Sequence, residues 1–101
     1  MKNTKDYSKA QIYCIRNSDT DDIYIGSTCQ NLSQRMAQHR LDKRRANQQT
    51  RLLYKLMNEI DESKFYIEQL EEYPCENVNQ LRKREGELIR EQKTIIEYEN
   101  R

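Results

Sequence analysis

Residues 10–26 read AQIYCIRNSDTDDIYIG, and this stretch decides the fold. Ala10 to Ile15 is short and rich in Ile and Tyr, residues that suit a pleated, half-buried surface. Arg16 to Asp22 is packed with turn formers, whose short polar side chains bond to nearby backbone. Ile23 to Gly26 reads as a second strand. The spacing predicts an antiparallel hairpin over a loop of about five to seven residues. Strand alternation puts Ile12 and Cys14 on the face opposite Tyr13. Tyr13 and Tyr24 sit at matching places in the two strands, so pairing can bring both phenols to one surface. Position alone also admits two ordinary sheet tyrosines.

Outward from the hairpin, Met1 to Lys9 is polar and reads as a flexible N-terminus. Residues 10–101 are expected to form a single domain, because 101 residues are enough for one compact unit and too few for two. Asn31 is placed to cap a helix from Leu32 to about Arg45. A second helix is expected from about Gln48 to Ile60, with Leu52, Leu53, Leu56 and Ile60 as its apolar stripe. Lys64 to Glu71 alternates loosely and reads as a third strand, broken by Tyr73 and Pro74. Asn77 followed by Gln80 resembles a capping box. The helix it starts runs to at least Arg90, with Val78, Leu81, Leu88 and Ile89 on one side. After Gln92, Thr94, Ile95 and Ile96 suit a strand better than a helix. The order β-β-α-α-β-α predicts an α+β fold, a small three-stranded, mostly antiparallel sheet flanked by helices.

Composition narrows the function. Hydrophobic and charged residues each make up 35% of the chain, so the core must be small. The net charge of +1 gives no global positive field, and strong nonspecific DNA affinity depends on neutralising phosphates. Basic residues are nevertheless clustered: Arg35, Arg40, Lys43, Arg44, Arg45 and Arg51 fall close together around His39, with Asp42 as the one acid. Cys14, Cys29 and Cys75 are odd in number and lack CxxC spacing. That argues against a zinc site and a disulfide framework, and for a reduced, intracellular protein. No apolar run approaches membrane length.

Two further features can carry chemistry. Arg35 and His39 are four apart and share a helical face, where both can donate to a phosphate. A solvated basic face with an incidental histidine fits the same spacing. Glu85 falls on the apolar stripe of the third helix, whereas Glu87 falls off it and should face solvent. A carboxylate on such a stripe is costly to bury unless it is paired or binds a metal. A salt bridge to Arg82 or another arginine, and a metal site, both remain open.

Taken together, QIY, then ten residues, then YIGST, then LSQR with His39 four residues after Arg35, then REGELI, resemble the GIY-YIG nuclease superfamily. The likeness extends from Gln11 to Arg90. It is nearest to the small stand-alone members encoded by large DNA viruses and phages, and to the catalytic modules of phage homing endonucleases. Gln11 departs from the pattern, standing where Gly is usual. The resemblance implies that Tyr13 and Tyr24 are the motif tyrosines, Gly26 the motif glycine, Arg35 the catalytic arginine, His39 an accessory histidine and Glu85 the metal-binding glutamate. It also implies a role for Asn100, the Asn of the tail after that helix.

The activity so implied is metal-dependent hydrolysis of a DNA phosphodiester, leaving a 5′-phosphate. Glu85 would hold one Mg²⁺ or Mn²⁺, because magnesium commonly uses only one or two protein carboxylates. Arg35 would stabilise charge on the phosphoryl oxygens. Tyr13 would act as general base and Tyr24 as a positioning residue. Ser27, beside the motif glycine, and Arg40, Lys43 and Arg44 are the further substrate-binding candidates. The partner is DNA, with a homodimer or a separate specificity partner as possible company. The location would be the cytoplasm, or a host nucleus for a viral protein. A catalytically inactive nucleic-acid-binding module of the same fold, and a structural adaptor, are the rival readings.

Overall fold

A computed structural model of the chain describes residues 6–45 and 52–92. The strands are β1 (Gln11–Asn17), β2 (Tyr24–Thr28) and β3 (Phe65–Glu72). The helices are α1 (Leu32–Arg45), α2 (Leu52–Glu59) and α3 (Val78–Gln92), with single 3-10 turns at Tyr7–Lys9 and Glu62–Lys64. The order β-β-α-α-β-α is the expected one. The sheet has strand order β2-β1-β3, and both pairings are antiparallel.

The central position of β1 explains its composition. Its two faces are both covered, so Ile12, Tyr13, Cys14 and Ile15 are all buried. Tyr13, Ile15, Tyr24 and Phe65 pack with Met36 of α1 and with Leu53, Tyr54 and Met57 of α2. Ala10, Ile12, Cys14 and Ile25 pack with Leu81, Leu88 and Ile89 of α3. The sheet therefore lies between the α1–α2 pair and α3, with Ile12 and Cys14 opposite Tyr13 as alternation requires.

The boundaries follow local chemistry. β1 extends through Arg16 and Asn17, beyond the expected end at Ile15, because these residues still pair with Tyr66 and Phe65 of β3. Asn17 then starts the turn: its side-chain oxygen accepts from the backbone N–H groups of Asp19 and Thr20 at 2.8 and 2.7 Å. Asn31 caps α1 by accepting from Gln34 N at 2.8 Å. Asn77 caps α3 through Gln80 N at 3.0 Å, and the Gln80 side chain accepts in return from Glu76 N. The expected start of the second helix at Gln48 and the strand-like tail after Gln92 lie outside the described residues.

Within the segment before β1, Tyr7–Lys9 form a 3-10 turn. Asp6 caps the 3-10 turn through Ser8 N, Cys75 N donates to Tyr7 O, and Tyr73 N donates to Ala10 O. This segment docks by its backbone, which side-chain polarity in the sequence does not report.

Two features steady the frame beside Tyr13. The β1–β3 register shifts there: Ile12 faces Glu71 and Tyr13 faces Gln69, leaving Leu70 as the extra residue of a bulge. Arg84 clamps α3 to β3, donating from Nε and Nη2 to the two oxygens of Glu71, each at 2.7 Å. That fork holds the Glu71 carboxyl below its usual range. Glu87 is partly exposed, and Arg84 also donates to it at 2.9 Å.

Candidate active site

Gly26 sits directly across from Tyr13 in the β1–β2 pairing. A methyl group at Gly26 would lie 2.6 Å from the Tyr13 hydroxyl oxygen and 2.7 Å from Cζ. The glycine is therefore needed by the phenol, which lies across it. Gly26 is itself buried and is not among the residues lining the neighbouring cleft. Its place across from the phenol gives it a packing role. Tyr24 lies diagonally from Tyr13, with ring centroids 6.3 Å apart, so the hairpin does bring both rings to one face.

On that face the phenol meets a buried histidine. His39 Nε2 lies 2.7 Å from the Tyr13 hydroxyl, and His39 Nδ1 lies 3.0 Å from the Tyr54 hydroxyl. The Tyr24 ring packs edge-on against His39, at 5.5 Å between centroids. His39 has no exposed surface, which rules out an incidental histidine on a solvated face and any direct phosphate contact as the chain stands. Both ring nitrogens have partners, as burial of an imidazole requires. Tyr54 is a residue that the sequence did not single out. A tyrosine beside the apolar stripe of α2 was the available signal, since a buried phenol needs a polar partner.

Arg35 completes this group. It lies one turn before His39 on α1, and its Nε donates to the Tyr13 hydroxyl at 3.0 Å. Burial pushes the Tyr13 pKa well above the ordinary phenol value, and Tyr24 adds to the rise. Arg35 opposes both, but burial wins. A free phenolate is thus disfavoured here.

The second group approaches from the other face of the sheet. Ser27 follows Gly26 on the edge strand β2 and points towards α3, where its hydroxyl donates to Glu85 Oε1 at 2.6 Å. Glu85 is half-buried on α3, and its charge acts on Tyr13 by raising the phenol pKa further. The edge of β2 is therefore where the two groups meet. A cleft of about 830 Å³ opens there, lined by Ser27, Thr28, Cys29 and Gln30 from β2 and its exit, by Arg35 and Gln38 from α1, and by Leu81 and Arg82 from α3. Gln11, at the position where glycine is usual, ties this rim in place. Its amide donates to Gln30 O at 3.0 Å and its oxygen accepts from Gln69 at 2.7 Å.

The described residues offer a divalent ion one carboxylate at this edge, Glu85. Among the described residues no three His, Cys, Asp or Glu side chains come together to cage a metal. A single carboxylate beside an open cleft suits Mg²⁺ or Mn²⁺, which keeps waters and takes phosphate oxygens as ligands.

Arg40 and Arg44 lie elsewhere. Arg40 and Arg44 sit 3.8 and 3.7 Å from Glu62 Oε2, in the turn after α2. At 100° per residue, Arg40 is turned about 140° from Arg35 around α1, which takes it out of the cleft. Lys43 belongs to α1, but its side chain, like Arg51 and Asn100, lies outside the described residues. The face of α1 that does line the cleft carries Gln38 and Asp42 in line with Arg35.

The GIY-YIG catalytic domain model matches residues 9–100. The chain therefore belongs to the GIY-YIG catalytic domain family, and its fold is of the nuclease type. The family consists generally of nucleases, which implies DNA as substrate. No curated protein and no solved structure matches the chain.

Proposed function

We propose that this chain is a DNA endonuclease that hydrolyses phosphodiester bonds with a divalent metal on Glu85 and a guanidinium from Arg35. The observation that carries the reading is the convergence at the β2 edge. Arg35 and the Tyr13–His39 pair arrive from one face of the sheet, Ser27 and Glu85 from the other, and Arg35 and Ser27, each hydrogen-bonded to its own group, line one cleft.

Glu85 would hold one Mg²⁺ or Mn²⁺, with Ser27 fixing the carboxylate and water and phosphate completing the shell. When bound, the ion supplies polarisation of a phosphoryl oxygen and stabilisation of the departing alkoxide. Arg35 spends one of its five N–H donors on Tyr13. The others face charge that builds on the non-bridging oxygens, where a planar fork matches phosphate geometry.

Tyr13 serves as the base through His39. A phenol with a raised pKa is a poor base while its own proton stays in place. With the His39 proton on Nδ1, facing Tyr54, the Nε2 lone pair can take the Tyr13 proton while the phenol oxygen takes one from the attacking water. The water oxygen bonds to phosphorus, the bond from phosphorus to the 3′ oxygen breaks, the water's proton ends on the imidazole, and the 3′ alkoxide takes a proton from solvent to leave as the 3′ hydroxyl. Arg35 covers the hydroxyl until a phosphoryl oxygen draws the guanidinium towards substrate. Tyr24 walls the pair without touching substrate.

The test is plasmid DNA incubated with the purified chain and Mg²⁺ or Mn²⁺, beside Arg35→Ala and Glu85→Ala. Nicking by wild type that both substitutions abolish supports the reading. DNA binding without cleavage at any metal concentration would leave an inactive binding module in its place. Equal cleavage by the variants would trace the activity to a contaminant.

A further inference from the structure

The charged side chains lining the cleft are Asp6, Arg35, Asp42 and Arg82. Three of them have local partners. Asp6 accepts from the backbone and hydroxyl of Ser8. Asp42 accepts from Gln38 at 2.9 Å, and Arg35 donates to Tyr13. Arg82 is exposed, and among the described residues it forms no hydrogen bond or ion pair. The contrast with its neighbours is sharp, because Arg16, Arg40, Arg44 and Arg84 all lie against glutamates.

Its position gives the free cation a direction. Arg82 precedes Glu85 by three residues, about 4.5 Å along α3. Asp42 follows Arg35 by seven residues, almost in line with it and about 10.5 Å further along α1. On the α3 side of the Arg35–Ser27 region the cleft thus offers the unpartnered cation Arg82, with Asp6 there held by Ser8, and along α1 it offers the anion Asp42. A strand phosphate on the α3 side therefore meets a guanidinium whose donors are open, and one along α1 meets a carboxylate.

We propose that Arg82 binds a backbone phosphate neighbouring the one that is cut, so that the strand leaves the Arg35–Ser27 region across the first turns of α3. This placement rests on the nuclease reading; the phosphate contact itself does not. With Arg40 and Arg44 turned to Glu62, Arg82 adds an anchoring charge to that of Arg35 in the cleft.

The experiment measures binding of a fluorescein-labelled duplex in EDTA, so that no chemistry occurs, across a salt series. Wild type is compared with Arg82→Ala, Arg82→Lys and Arg44→Ala. One phosphate contact gives a slope of about −0.9 in log affinity against log salt, or about a 3.5-fold loss between 50 and 200 mM. Arg82→Ala should lose that share of the salt dependence, Arg82→Lys should keep it, and Arg44→Ala should match wild type. An Arg82→Ala slope equal to that of wild type overturns the proposal even if the protein cuts DNA. An Arg44→Ala slope lowered as much as that of Arg82→Ala also overturns it, because the effect is then one of general charge. A lowered slope in Arg82→Ala alone, from a protein that never cleaves, keeps the phosphate contact and removes the nuclease reading.

Discussion

His39 Nε2 lies 2.7 Å from the Tyr13 hydroxyl, and neither residue has exposed surface. A polar pair of this kind is costly to bury and gains only a modest net hydrogen-bond energy. Hydrophobic residues of the same volume would serve stability at least as well. What the pair supplies instead is a proton acceptor touching a phenol that itself lies under the cleft arginine.

Tyr13→Phe and His39→Gln should therefore reduce the cleavage rate on the order of 10²–10⁴-fold, the range for loss of a general base. The two losses should not add, because both break one relay. Tyr13→Phe keeps the ring over Gly26, so its circular dichroism should match wild type. The pH–rate profile is the discriminating readout. The acidic limb of the wild-type profile should change in both variants, because each breaks the same relay. An unchanged profile with little loss of rate would remove Tyr13 and His39 from the proton path.

Tyr13 should also leave a mark on stability at alkaline pH. Burial raises its pKa, so the folded state keeps a proton that the unfolded chain releases above about pH 10. The unfolded state then binds fewer protons, and stability falls with rising pH by up to about 1.4 kcal/mol per unit. Below about pH 10 that contribution is fully present. Urea unfolding from pH 9 to 11 should show a shallower decline for Tyr13→Phe than for wild type, although the other tyrosines still contribute. Identical slopes would mean that Tyr13 ionises freely in the folded protein.

Much of this frame was legible from local pattern. The hairpin, the Asn31 cap and the stripe that places Glu85 are short-range features, each set by a few neighbouring residues. Arg35 and Glu85 both reach the site for that reason. What escaped the sequence depends on long-range packing. Tyr54 is fifteen residues from His39 and becomes its partner only when α2 lies against α1. The fate of Arg40 and Arg44 is decided by Glu62, and a basic run carries no sign of where its opposing acid will fold. The docked N-terminal turn is held largely by backbone, which composition cannot reveal.

Gly26→Ala tests the packing of the phenol directly. The added methyl would meet the Tyr13 ring 2.6–2.7 Å away and the Tyr24 ring at 3.1 Å. Both rings are enclosed, so neither can move aside cheaply. The expected loss is about 1–3 kcal/mol, typical of overpacking, with activity falling as Tyr13 shifts. In a Tyr13→Leu background the same substitution should cost much less, since the clashing atoms are gone. A Gly26→Ala penalty of the same size in both backgrounds would place the strain elsewhere in β2.

Ser27 and Glu85 separate metal binding from catalysis. Ser27 donates to Glu85 Oε1 at 2.6 Å and lines the cleft, so it orients the carboxylate that would hold the ion. Loss of such an outer partner typically weakens metal affinity 10–100-fold. Isothermal titration of Mn²⁺ should therefore show Ser27→Ala weakened within that range, Glu85→Gln with no measurable binding, and Arg35→Ala close to wild type. Cleavage should follow a different order. Ser27→Ala should recover activity at high Mn²⁺, because its defect is one of occupancy. Arg35→Ala should not recover at any concentration, because it lacks a donor to the developing charge, a loss on the order of 10²–10³ in rate. If Ser27→Ala binds Mn²⁺ as wild type does, the hydroxyl merely satisfies Glu85. If Glu85→Gln still binds, the ion sits on other residues and the assignment of Glu85 fails.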